Sequence, residues 1–268
     1  MGASLVSRAL RQLDRAFWCL RDHLSAFVTL GMPTLLALIC ETLLVVSFWR
    51  TFEADSGITF LFFALVAPVC LLFTITFFPL PCGVYTWFQA IGNPRTPGEC
   101  LAYCFSRANR LLPVMLRLTF SYFLWFLFFG LPMLVYWPRG CLAPSVALFE
   151  EGRKVFVRAR RLLKEDVVIY ALSSLFLLLG LALGGLIPIP RLLLMSEVLE
   201  NDWTRFLSEW IWVFEITTAI LLISGMAICW TVALTFVYHD IRFRREGERI
   251  RQKVQVLMDR YAPAGGEA

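Results

Sequence analysis

Four ionisable residues fall inside apolar runs of this 268-residue chain: Glu41, Arg117, Arg139 and Glu215. A charge inside a membrane core is costly, and as a rule it pairs or lines a wet cavity on an ion or substrate path. Arg117 and Glu215 lie six and five residues from the ends of their runs, close enough to snorkel to the interface. Glu41 and Arg139 each lie eight residues from the outer end of a run, about 12 Å deep at 1.5 Å per residue. That matched depth predicts a Glu41–Arg139 intramembrane pair, either structural or part of a polar cavity.

The remaining chemistry-bearing residues point away from catalysis. Two histidines, His23 and His239, sit at the ends of apolar runs, so no paired mid-membrane histidines and no His-Glu-x-x-His exist. Eight cysteines are scattered without a Cys-x-x-Cys pair or a neighbouring histidine, which suggests neither zinc nor a disulfide frame. There is no phosphate-cradling Gly-x-x-x-x-Gly-Lys loop and no Gly-x-Ser-x-Gly elbow. The expectation is no catalytic residue, no cofactor, no metal and no nucleic acid partner.

The elements that must carry these residues follow from composition. Hydrophobic residues make up 59% and charged residues 17%, with mean hydropathy +0.69. Soluble domains are about half apolar and a quarter charged, so the chain is expected to be an all-α polytopic membrane helix bundle. Runs near 26–49, 58–80, 167–187 and 210–238 are long enough for a core that takes roughly 20 helical residues. The stretch from Leu111 is either one span to Trp137, five in all, or two spans, Leu111–Gly130 and Leu131–Phe149, six in all.

Charge favours six. Lys and Arg concentrate in short cytoplasmic loops. Six spans put 20 of them on the side of both termini and three (Arg50, Arg191, Arg205) on the other. The fourth span is nevertheless broken by Pro132, Pro138, Gly140 and Pro144, as in a re-entrant helix. The expected layout is a cytoplasmic N-terminal helix over 1–25, a bundle over 26–238 and a basic cytoplasmic tail over 239–268, in the inner (plasma) membrane.

The charged face has its own pattern. Leu5, Ala9, Leu13, Phe17, Leu20 and Leu24 recur on one face of an amphipathic helix with Arg8, Arg11 and Arg15 largely elsewhere. Thr96-Pro97-Gly98-Glu99 reads as a capping box opening a helix to Arg110. Arg153–Lys164 interleaves six basic residues with an apolar stripe. Such faces suit anionic lipid headgroups or a protein partner in the membrane. Gly180 and Gly184 give a small-xxx-small packing face. An i,i+4 pair is available between Asp240 and Arg244.

After the last span, Tyr238-His239-Asp240-Ile241-Arg242-Phe243-Arg244-Arg245-Glu246-Gly247 places an aromatic ahead of Asp-x-Arg-x-Arg-x-Glu-Gly. A second patch, Glu150 followed by Arg158-x-Arg160-Arg161-Leu162, precedes the next span. Together they resemble bacterial inner-membrane proteins similar to the membrane domain fused to glycerophosphoryl diester phosphodiesterases, with His239 where a small or aliphatic residue is usual. The resemblance implies a six-helix bundle without the catalytic domain, and a cytoplasmic interface motif of Tyr238, Asp240, Arg242, Arg244, Glu246 and Gly247. The expected function is non-catalytic assembly, anchoring or scaffolding in the cell envelope. The alternative is a transporter or lipid-handling protein using the Glu41/Arg139 region.

Overall fold

The computed structural model describes residues 5–51, 62–127, 137–152, 154–164, 168–187 and 202–261, and every regular element among them is a helix. Helix α1 (Leu5–Asp22) passes through the single residue His23 into α2 (Leu24–Thr51). A π-turn at Phe62–Val66 leads into α3 (Ala67–Phe77), followed by α4 (Leu80–Ala90), α5 (Pro97–Ser106) and α6 (Ala108–Leu127). Then come α7 (Ala143–Phe149), α8 (Val155–Lys164), α9 (Val168–Leu186) and α10 (Asp202–Tyr261). Four segments are long and apolar enough to cross a membrane: Leu24–Phe48, Ala67–Ala90, Val168–Leu186 and Trp210–Arg244.

The second candidate span differs in extent from the apolar run over 58–80: the chain turns at Phe78–Pro79 and continues as a helix to Ala90. Pro79 is the N-cap of α4 and Pro81 lies in its first turn. First-turn amides have no intrahelical partner, so proline starts a helix there without losing a hydrogen bond. The resulting α4 is buried along most of its length, Leu80–Thr86 and Phe88 included.

Close packing of α4 rests on Gly83. A β-carbon at that position would lie 2.8 Å from Thr235 Oγ1 and 3.0 Å from Thr231 Cγ2 of α10. Gly31 of α2 approaches α10 in the same way, 2.6 Å from Ile228 Cδ1. Without a β-carbon, helices approach closely enough for dispersion contacts along both backbones, the main attraction available between apolar helices in lipid.

Helix α6 has an antiparallel neighbour. Tyr122 stacks on Trp137 and donates to its carbonyl at 3.2 Å, while Gly140 lies against Leu118 and Tyr122. Nearer the start of α6, Arg107 donates to the Leu148 carbonyl at 2.6 Å and Arg110 bonds the Gly152 carbonyl. Segment 137–152 therefore runs back beside 107–122. Residues 128–136 lie outside the described residues, and with them most of the expected fourth span's first half; so do residues 188–201.

Burial is concentrated at one end. Ala9 and Ala16 of α1, Cys100 of α5, Leu142–Leu148, Val155–Leu163 of α8, Ile169 and Leu172 of α9 and Val232–Ile241 of α10 join one apolar cluster with α4. Thus α1 is docked on the bundle, and its inward stripe is Ala9, Leu13, Ala16 and Leu20. Phe17, expected on that stripe, is instead half exposed beside Trp18.

Candidate functional site: the charged rim

The buried end of the bundle carries a rim of interlocked charges. Its first knot is Glu150, directly after α7. The last carbonyls of α7 have no intrahelical donors and carry the negative end of the helix dipole, so they draw cations and hydroxyls. Tyr103 and Arg107 donate to the Leu148 carbonyl at 3.1 and 2.6 Å, and Arg242 donates to that of Phe149 at 3.3 Å. Glu150 itself accepts from Tyr238 at 3.1 Å and forms an ion pair with Arg158 at 3.0 Å. Trp87 stacks on Phe149 at 4.5 Å, and the Arg242 guanidinium lies 5.3 Å from the Trp87 ring.

The two sequence patches, Glu150/Arg158 and Tyr238–Arg242, are thus brought into direct contact. Tyr238 is fully buried, so its hydroxyl needs an acceptor there, and Glu150 supplies it.

A second knot lies between α1 and α10. Gln12 Nε2 donates to Asp240 Oδ2 at 2.6 Å, and Arg15 forms an ion pair with the same oxygen at 3.2 Å. His239 Nδ1 is 3.7 Å from the other carboxylate oxygen. The expected Asp240–Arg244 side-chain pair is replaced: Arg244 Nε bonds the Asp240 backbone carbonyl at 3.3 Å, while the carboxylate turns to α1. The docked α1 offers that carboxylate two donors from two side chains, Gln12 and Arg15. The side chain of Glu246 lies outside the described residues, and a β-carbon on Gly247 would meet nothing within 4 Å. His23 completes the rim, with Nδ1 3.3 Å from the Tyr85 hydroxyl.

The intramembrane residues also need correction. Glu41 is hydrogen-bonded by the Thr74 hydroxyl of α3, and Arg139 is not among its partners. Helix α3 packs on both α2 and α6. The segment holding Arg139 rests on α6 through Trp137 and Gly140. Arg117 does not simply snorkel: its guanidinium lies 4.7 Å from the Phe156 ring, tying α6 to α8. A β-carbon on Gly180 would sit 3.8 Å from Met226, an ordinary contact, and one on Gly184 would meet nothing within 4 Å. The close-approach glycines are Gly31, Gly83 and Gly140 instead, and no small-xxx-small spacing marks them.

Among the described residues no group of three or more His, Cys, Asp or Glu is placed to hold a metal ion. Burial pushes the Cys100 and Cys104 thiols up to about 11 and about 12, the wrong direction for a reactive thiolate.

Comparison with protein-family models, curated proteins and solved structures finds no match to this chain. The rim geometry is therefore the basis for a functional reading.

Proposed function

We propose that this chain is a non-catalytic, six-span inner-membrane protein with both termini in the cytoplasm, and that it anchors or assembles other envelope components on its basic rim. The observation that carries the reading is the interlocking at one end of α8 and α10 through Glu150, of α1 and α10 through Asp240, and of α5 and α7 through Tyr103 and the Leu148 carbonyl. That network makes the basic segments one continuous platform. Its residues are those of the motif resembling the glycerophosphoryl diester phosphodiesterase membrane domain, and they sit where an orienting rather than a reacting role is served.

The hairpin of α6 with segment 137–152 supports the six-span count, since it returns the chain to the end it left. The basic excess at that end supports a cytoplasmic orientation. Glu41 supports a packed bundle over a transport path, because its carboxyl is engaged by Thr74 at the α2–α3 interface.

Native mass spectrometry of the chain, extracted in mild detergent from its own membrane, tests the reading. A defined protein partner at fixed stoichiometry is expected. A monomer without any protein partner, under conditions that preserve known complexes of the same membrane, would overturn it.

A further inference from the structure

A cavity of about 200 Å³ opens between α1, the start of α9 and the rim stretch of α10. Arg8, Arg11 and Arg15 of α1 and Arg244 of α10 line it, together with Gln12 and Asp240. Val168 and Val237 complete its wall. One water needs only about 10–15 Å³ of such space, so the cavity holds a group much larger than a solvent molecule.

Among the described residues of its lining, four guanidinium groups face one carboxylate, and that carboxylate is already held by Gln12 and Arg15. Arg11 bonds only the Ser7 carbonyl of its own helix, through Nε at 3.3 Å. Arg8 lines the cavity without a hydrogen-bond or ion-pair partner among the described residues. The second rim cavity differs. Its Arg107, Arg158 and Arg242 are engaged by Leu148, Glu150 and Phe149, and two carboxylates, Glu150 and Glu151, share its lining.

We infer that the α1–α9–α10 cavity binds a phosphate group, with Arg8 and Arg11 as the recognition residues and Arg15 and Arg244 completing the cationic wall. Planar guanidinium forks match phosphate oxygens in pairs, which a scatter of surface lysines does not. A lipid headgroup and a free phosphate both present this chemistry. The surroundings favour the lipid. Leu10, Phe17 and Trp18 are about half exposed on α1, an apolar surface suited to the acyl boundary beside the arginines. Arg21 covers the Trp18 ring at 3.8 Å, another cation held at headgroup level.

The test uses the full purified chain in detergent, offered equal amounts of phosphatidylglycerol and phosphatidylcholine and read by native mass spectrometry. Preferential retention of phosphatidylglycerol is expected. The Arg8→Gln/Arg11→Gln variant should lose it about 30-fold, taking about 1 kcal/mol per arginine at the membrane surface. Lys154→Gln/Arg160→Gln removes the same charge from an exposed part of the rim and should retain binding. Equal loss in both variants, or equal retention of the two lipids with no phosphate binding, would overturn the site.

Displacement of phosphatidylglycerol by millimolar inorganic phosphate, or binding of phosphate without lipid preference, would assign a free phosphate as the natural ligand. Resistance to displacement would assign the lipid. Should the double variant fail to fold, arginine-directed modification of the wild-type chain decides. Arg8 and Arg11 should be protected in phosphatidylglycerol nanodiscs and modified in phosphatidylcholine ones, and equal modification would overturn the site. All of these measurements use purified protein, so they stand or fall separately from the partner search.

Discussion

At Glu150 a single carboxylate takes a hydroxyl from Tyr238 on one oxygen and a guanidinium from Arg158 on the other, so the two partners can be removed one at a time. Tyr238→Phe deletes one hydrogen bond and should cost about 1 kcal/mol. Glu150→Ala strands a buried phenol and should cost about 1–3 kcal/mol. Arg158 is 43% exposed, so Arg158→Gln should cost under about 1 kcal/mol after screening. Thermal unfolding in mild detergent orders the three, and a larger loss for Arg158→Gln than for Glu150→Ala would refute this account of the knot. The glycines offer a sharper contrast. Gly83→Ala drives a methyl into Thr235 and Thr231 and should cost about 1–3 kcal/mol, whereas Gly184→Ala meets open space and should be neutral or slightly stabilising in the same melts. Cys100 and Cys104, with thiols raised to about 11 and about 12 by desolvation, should resist maleimide at pH 7.5 until the protein is denatured. Rapid labelling of the native protein would contradict their burial.

Helix α5 shows what a few residues can specify by themselves. Thr96 accepts from the Glu99 amide while the Glu99 carboxylate accepts from the Thr96 amide at 2.8 Å, and Pro97 opens the first turn, as the four-residue pattern predicts. Thr96→Ala should cost about 0.5–2 kcal/mol, read as faster amide hydrogen exchange across α5. The Thr96 backbone amide holds the Glu99 carboxyl below its ordinary range. A carboxyl lowered in the folded state adds stability that is present above its unfolded pKa and lost as pH falls through the lowered one. The protection of α5 amides, corrected for the intrinsic pH dependence of exchange, should therefore fall on acidification through the lowered carboxyl range, and Glu99→Gln should flatten that dependence. Local signals of this kind were legible in the sequence, as were the amphipathic α1 and α8. Contacts between distant residues were not. Asp240 pairs with Arg15 across 225 positions, and the reach of an i,i+4 arginine hid that choice. The depth match of Glu41 and Arg139 takes no account of rotation about the helix axis, and Glu41 is met by Thr74 of α3. The helix start at Pro79 and Pro81 was not legible in the apolar run, because a proline's effect depends on which turn of a helix it occupies.

Across the whole molecule, the hydrophobic budget of the sequence announced a membrane bundle, while the number of crossings depends on how 107–122 and the antiparallel 137–152 lie in the membrane. If α6 goes out and 137–152 comes back, Asn93 and Lys154 share a side of the membrane. Cysteines introduced there by Asn93→Cys and Lys154→Cys should label together with an impermeant reagent in inverted vesicles, and labelling from opposite sides would support five spans. Helix α10 runs unbroken for 60 residues, about 90 Å, so the expected boundary at 238–239 lies inside one continuous helix, where Tyr238 and Ile241 are still buried in the bundle. The pairing of α4 with that helix also sets an order of events during synthesis. Gly83 is made some 150 residues before Thr235, and at about 5–20 residues per second the ribosome takes roughly 8–30 s to cover that distance. Through that interval α4 has no permanent partner for its glycine face, so a nascent bundle lacking its last helix is left open to quality-control proteases. Truncation before Asp202 should therefore give a chain that inserts but is rapidly degraded, and the closing step of biogenesis belongs to the final helix.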